Sequence, residues 1–244
     1  MINPVPIPGL FVTGTDTGVG KTVIAGAIAQ WFARRGAQVA VCKPIATGCP
    51  HRREGLVSED AEFLASCADS RHSLELICPQ RYAEPLAPAV AAERAGEPVD
   101  WRLIDRSIQQ MCIGSTVMIV EGVGGVAVPL DEQITVLHLA NWLALPAIVV
   151  ARPGLGTINH TLLTVAALRS AGVEVAGVVI NRYPAENAGV VEETNGDAIE
   201  KWSGVPVLCL VPDEPVQRAS IPVEVAAAVD AVDWSRFAAR RMMR

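Results

Sequence analysis

Positive charge is thin in this chain, and lysine is thinner still. Of 20 basic residues only Lys21, Lys43 and Lys201 are lysines, against 26 acidic residues and a formal net charge of −6. That balance, with no basic stripe, excludes nucleic acid as a principal partner. No apolar run is long enough to span a bilayer, and the one around Leu143–Ala151 is interrupted by Pro146. The first residues lack a basic segment followed by an apolar one, so no signal peptide is expected. Six cysteines (Cys42, Cys49, Cys67, Cys78, Cys112, Cys209) show no C-x-x-C spacing and no paired clusters. They read as reduced thiols of a cytoplasmic protein. His51, His72 and His138 have no metal-ligand spacing, and no Ser-His-Asp or Cys-His arrangement is visible.

Against these absences stands one dense motif. Residues 14–22 read Gly-Thr-Asp-Thr-Gly-Val-Gly-Lys-Thr, directly after the apolar run Leu10-Phe11-Val12. A strand, a glycine-punctuated turn and Lys-Thr opening a helix form a phosphate-binding loop, whose backbone N–H groups and helix N-terminus surround an anion. Lys21 neutralises the β/γ-phosphates, and Thr22 supplies a hydroxyl for Mg²⁺. The strict G-x-x-x-x-G-K-[ST] pattern fails at Thr15, with Gly14 one residue early. Because arginine is the default cation here, lysine marks places that need a compact point charge. For Lys43, composition alone leaves a site role and a surface role equally open.

With 244 residues, half of them hydrophobic, the chain can bury a full core, and one domain over 1–244 is expected. Val/Ile-rich strands are predicted at Leu10–Gly14, Val39–Lys43, Thr116–Glu121, Ala147–Ala151, Val175–Asn181 and Val205–Val211. Helices are predicted at about 22–35, 58–68, 99–112, 135–144, 158–171 and 186–202, with Ser58 as an N-cap and Gly36 and Gly172 at C-termini. The alternation predicts an α/β fold: a doubly wound, mostly parallel sheet flanked by helices, of the P-loop NTPase type. Pro44–Val57 is expected to be a mobile loop, and the segment after Pro222 a closing helix with a tail (222–244).

In such sheets ligands gather at the carboxyl ends of the strands. After the second strand, Lys43 would stabilise charge on a transferring phosphoryl group, and Thr47 could hydrogen-bond a polar substrate. After the third, Glu121 suits Mg²⁺, with Gly122, Val123 and Gly124 letting the backbone approach a ligand. Asp60 is open to two readings, a second Mg²⁺ group or a charge complementing a helix dipole. Arg152–His160 is another glycine turn onto a helix N-terminus, either an anion site suited to a carboxylate or a plain connection. Asn181 ends the fifth strand, where an amide can pair with an adenine edge.

Several segments together resemble the dethiobiotin synthetase family. They are FVTGTDTGVGKT (Phe11–Thr22), CKPIATG (Cys42–Gly48), SEDA (Ser58–Ala61), YAEPLAPAVAA (Tyr82–Ala92), IVEGVGGVAVPL (Ile119–Leu130), GLGTINHTLLT (Gly154–Thr164) and VINR (Val179–Arg182). They keep order across roughly residues 10–214. The resemblance implies an ATP-dependent ligase that converts 7,8-diaminononanoate and CO₂ to dethiobiotin through a carbamate and a carbamic–phosphoric anhydride. It implies Lys21 on the β/γ-phosphates, Lys43 on the carbamate and transferring phosphoryl, and Thr22, Asp60 and Glu121 around Mg²⁺. ATP would further contact Thr15, Asp16, Thr17, Gly18, Val19, Gly20, Gly122, Val123 and Gly124. Its base would meet Asn181, Arg182, Pro212, Asp213 and Glu214. Substrate would meet Thr47 and, through the backbone at Gly156, Thr157 and Asn159, place its carboxylate at a homodimer interface. Gly18 stands where some members carry Glu, implying a more permissive loop, and Pro184–Trp202 matches the family weakly. Three other readings compete. A partitioning-type ATPase switch would place Lys where Asp16 stands. A cobyrinic acid amidating enzyme would need a glutaminase domain for which 244 residues leave no room. A degenerate, nucleotide-binding paralogue is disfavoured by the intact Lys21, Thr22, Lys43, Asp60 and Glu121.

Overall fold

Val- and Ile-rich runs without polar alternation need cover on both faces, and a parallel sheet between helices supplies it. The computed structural model describes residues 2–215 and 220–238. In chain order, β1 (Gly9–Gly14) leads to α1 (Lys21–Arg34), β2 (Val39–Cys42), β3 (Ile45–Ala46), β4 (His51–Arg52) and β5 (Gly55–Leu56). There follow α2 (Glu59–Cys67), α3 (Leu74–Ile77), β6 (Gln80–Arg81), α4 (Pro88–Ala95), α5 (Trp101–Cys112) and β7 (Val117–Gly125). Then come α6 (Val136–Leu143), β8 (Ala147–Ala151), α7 (Thr157–Ser170), β9 (Val175–Tyr183), α8 (Val190–Ser203) and β10 (Val207–Pro212). The chain closes with α9 (Val223–Asp230) and α10 (Ser235–Ala238).

Six strands form one sheet in the order β10-β9-β8-β1-β7-β2, and every pairing within it is parallel. The expectation of a mostly parallel sheet is met in full. All six residues of β1 and all five of β8 are buried, as strands inside a two-sided cover must be. Phe11 is fully buried, and its ring stands 3.0 Å from where a Cβ at Gly122 would lie. It therefore supports both the core and the backbone beside Glu121, and Phe11→Ala is expected to cost about 3–5 kcal/mol.

Local signals at the helix ends hold. Ser58 Oγ accepts the Ala61 N–H at 3.2 Å, capping α2. Gly36 and Gly172 take φ of 83° and 77°, the left-handed region that ends a helix. Two expectations change. Pro44–Val57 is not a plain loop: β3 pairs with β6, and β4 pairs with β5 as a hairpin whose Arg52 bonds Glu62 on α2. The closing helix is broken into α9 and α10, with Trp234 buried between them, and residues 239–244 of the expected tail lie outside the described residues.

Candidate active site

The carboxyl end of β1 runs directly into the phosphate loop. Gly14 has no room for a side chain, since a Cβ there would lie 2.7 Å from Val19 Cγ2. Gly18 and Gly20 take φ of 74° and 93°, which glycine adopts without strain. Helix α1 has no side-chain cap and no acid in its first turn, so its first N–H groups are free for an anion. Lys21 is 6% exposed and donates to the Asp16 carbonyl at 2.9 Å, folding back across the loop. Burial lowers its pKa to about 8, against the opposing pull of Glu121. Asp16 itself forms an ion pair with Arg152 from the end of β8.

Beside the loop, the end of β2, the start of α1, β7 and α2 bring four side chains together. Lys43, 4% exposed, places Nζ 2.7 Å from Glu121 Oε1 and 2.9 Å from Asp60 Oδ2. Thr22 Oγ1 lies 2.8 Å from Glu121 Oε1 and 3.1 Å from Asp60 Oδ1. Burial works against the charge on Lys43, but Glu121 and Asp60 outweigh it and hold the ammonium above its ordinary pKa. Burial likewise pushes Asp60 upward, yet Lys43 prevails and keeps it below the usual carboxylate range. Glu121 is lifted above its ordinary value by burial, despite Lys43. Asp60 sits in the first turn of α2, as the dipole reading requires, and its carboxylate also faces the site through Lys43 and Thr22, so the geometry is compatible with both readings.

A divalent cation can be tested against this donor set. Glu121 Oε2 is buried and has no hydrogen-bond partner, an acceptor left over after Lys43 and Thr22 are served. Among the described residues no three His, Cys, Asp or Glu converge as a metal cage. Two carboxylates and a hydroxyl are hard oxygen donors, and Mg²⁺ ordinarily completes its shell with phosphate oxygens and water. The residues fit such an ion.

The backbone after Glu121 departs from expectation in one respect. β7 continues through Gly122, Val123 and Gly124 to Gly125, with its register against β1 shifting between Val12↔Glu121 and Gly14↔Gly125. The irregularity carries Gly124 (φ 60°) to the loop, where a Cβ would stand 3.5 Å from Thr17 Oγ1.

On the far side of the loop, Gly20, Val23, Asn181, Arg182, Pro212, Asp213, Glu214, Pro215 and Val225 line a cavity of about 520 Å³. All five residues expected near the base meet here. Asn181 Nδ2 donates to the Val19 carbonyl at 2.9 Å, bracing the loop and leaving its Oδ1 as the remaining polar atom. Val23, Pro215 and Val225 escaped the sequence reading. Val225 belongs to α9, whose contact with α1 and β10 no local pattern announces.

Thr47 is half-buried just beyond β3. Gly156 is the N-cap of α7 with φ of 92°, and the helix again lacks a side-chain cap and a first-turn acid. Thr157 is buried with Oγ1 unpartnered, while Asn159 is exposed.

Comparison with known proteins bears directly on this arrangement. Residues 8–219 match a family model described as an AAA domain. An ATP-dependent dethiobiotin synthetase of Thermodesulfovibrio yellowstonii is 39% identical over 212 residues, 84% of this chain and 88% of that protein. One from Bacillus cereus is 44% identical over 205 residues, covering 84% and 83%. The chain belongs to the dethiobiotin synthetase family. As a family member it is an ATP-dependent ligase, and its P-loop fold is shared more widely. The MinC:MinD cell division protein complex of Aquifex aeolicus matches with a TM-score of 0.60 at 12% identity, over 97% of this chain and 98% of that one. That likeness concerns the fold alone. The partitioning-switch reading is not favoured, since the relatives at 39–44% identity are synthetases.

Proposed function

We propose that this chain closes the ureido ring of dethiobiotin from 7,8-diaminononanoate and CO₂ at the expense of ATP. One amine adds to CO₂, giving a carbamate and a released proton. A carbamate oxygen attacks the γ-phosphorus, the bond to ADP breaks, and a carbamic–phosphoric anhydride results. The second amine attacks the carbamoyl carbon, phosphate departs, and the ring nitrogen loses its proton. The observation that carries the reading is the buried Lys43, shared between Glu121 and Asp60 beside the phosphate loop.

Two anions must meet in the transfer step, so their repulsion is the barrier to be lowered. Lys21 would hold the β/γ-phosphates, and Lys43, kept charged by its neighbours, would meet the oxygens of the carbamate and the transferring phosphoryl group. Glu121 and Asp60 already balance these two ammoniums, so a triphosphate needs a further cation. Thr22, Asp60 and Glu121 would hold Mg²⁺, which supplies charge neutralisation at the phosphates when bound. The backbone from Thr15 to Gly20 and from Gly122 to Gly124 would enclose the phosphates. Adenine would occupy the cavity of Asn181, Arg182, Pro212, Asp213 and Glu214. Asn181 Oδ1 would accept from its amino group, because Nδ2 is held by Val19.

Thr47 would meet the diamine end of the substrate, and the N-terminus of α7 at Gly156, Thr157 and Asn159 would take its carboxylate. We read the enzyme as a single-domain, cytoplasmic homodimer. Leu155 just before α7 and Leu163 on it, 90% and 62% exposed, and Val190 on α8 at 75%, support an interface beside that turn. No helix among the described residues is long and apolar enough to cross a membrane.

The test is ADP release from MgATP and bicarbonate with and without 7,8-diaminononanoate, with the product weighed by mass spectrometry. Diamine-dependent release and a dethiobiotin mass are expected. ADP release indifferent to the diamine would overturn the reading.

A further inference from the structure

The inner face of α8 is formed by Asn195, Ile199 and Ser203, spaced four residues apart. An amide at the first of these positions is costly to bury unless its hydrogens are used. Asn195 is 5% exposed, and its Nδ2 lies 2.6 Å from the Pro153 carbonyl and 3.5 Å from the Gly154 carbonyl. Those carbonyls belong to the turn between β8 and α7. The Gly154 carbonyl also accepts the Thr157 N–H at 3.2 Å, so one side chain fixes the start of the turn and, through it, the first residue of the helix. At the other end of the pair, Arg169 of α7 donates to the Ser203 carbonyl of α8. The two helices are tied at both ends, and the tie nearest the candidate carboxylate site is Asn195.

We propose that Asn195 is a positioning residue for substrate: it holds the Pro153–Gly156 turn so that the N-terminus of α7 is already shaped for a carboxylate. The inference rests on the proposed role of that N-terminus. Without the tie, the turn would have to order on binding, and the affinity gained from its N–H groups would be spent on that ordering. The effect would fall on the acid substrate and spare MgATP, because Asn195 donates to neither the phosphate loop nor the base cavity.

The experiment compares 7,8-diaminononanoate with 2,3-diaminononane, the same diamine with methyl in place of the carboxylate, in the wild type and in Asn195→Ala. Asn195→Ala is expected to raise KM for the acid roughly tenfold, the scale of one lost hydrogen bond. KM for the diamine without the carboxylate and for MgATP should move less than about twofold, so the preference for the acid collapses. Asn195→Gln, which keeps the amide donor, should restore part of it. An unchanged preference in Asn195→Ala overturns the proposal while leaving the carboxylate site standing. A wild type that does not prefer the acid overturns the carboxylate site and this proposal with it. Should Asn195→Ala fail to fold, Asn195→Ser, with a smaller donor in the same space, is compared in the same way.

Discussion

The N-termini of α1 and α7 are built alike and surrounded differently. Each is entered through a left-handed glycine, Gly20 at φ 93° and Gly156 at φ 92°, and neither has a side-chain cap or an acid in its first turn. Elsewhere the chain does cap and charge its helices: Ser58 caps α2, whose first turn carries Glu59, Asp60 and Glu62, and α8 begins with Glu192 and Glu193. Helix α4 also lacks both cap and acid, but it begins at Pro88 behind Ala87 at φ −57°, so the left-handed glycine entry is what α1 and α7 share, and it leaves their first N–H groups open. Around α1, Lys21 and Lys43 are buried with Glu121 and Asp60, an environment for a multiply charged group. Around α7, Gly156 and Asn159 are exposed and the nearby Arg152 is committed to Asp16, which suits a monoanion held by backbone alone. On the proposed reading, one local motif would serve two ligands, distinguished by what the neighbouring strands deliver to it.

The sharpest way to break this contrast is to remove the cation that distinguishes α1. Lys43→Ala is expected to slow ring closure by roughly a thousandfold while ATP binding changes only a few-fold, read from single-turnover ADP formation and a nucleotide titration. Lys43→Arg should not rescue it, because a planar fork cannot replace a point charge between two carboxylates. Next in size is Gly20→Ala, whose Cβ would stand 2.0 Å from Asn181 Nδ2. Loss of roughly a hundredfold in nucleotide affinity is expected from the displaced loop and the left-handed strain together.

A pH series separates the two sites by charge type. Free Lys21 has its pKa lowered to about 8, and bound phosphates would raise it again. Above pH 8 the free enzyme must take up a proton to bind ATP, so affinity should fall by up to about tenfold per unit, with proton uptake visible in calorimetry. Acid-substrate affinity at α7, which does not involve Lys21, should lack that step. The smallest effect is expected at Gly156→Ala. Open space surrounds that position, so only the backbone conformation is penalised, about 1 kcal/mol in thermal unfolding with a modest rise in KM for the acid.

Much of this was legible because the main strands declare themselves locally. The six strands of the sheet were readable as Val/Ile runs, and Gly14–Thr22 announced its own loop. The scarcity of lysine also carried information: Lys21 and Lys43 are buried in the site, whereas Lys201 lies exposed with Nζ 5.7 Å from the Trp202 ring. What was hidden depends on distant partners. Two-residue β3 has no sequence pattern without β6, 35 residues away in register (Ile45↔Gln80). Pro88 at the first turn and Gly96 at the end do mark α4, a signal available locally but left unused. Asn195 and Val225 occupy ordinary helix positions, and only the packing of α8 on the β8–α7 turn and of α9 on α1 brings them to that turn and to the cavity beside the phosphate loop.

The order of the sheet also bears on how the chain is made. β1 leaves the ribosome first among the strands, yet it lies between β7 and β8, whose paired residues begin at Met118 and Ala147. For more than a hundred residues of synthesis this segment, wholly buried in the folded protein, has no sheet to join. A nascent chain stalled before β8 would carry its phosphate loop unassembled, so chaperone occupancy during translation should peak before that strand emerges and fall once it pairs.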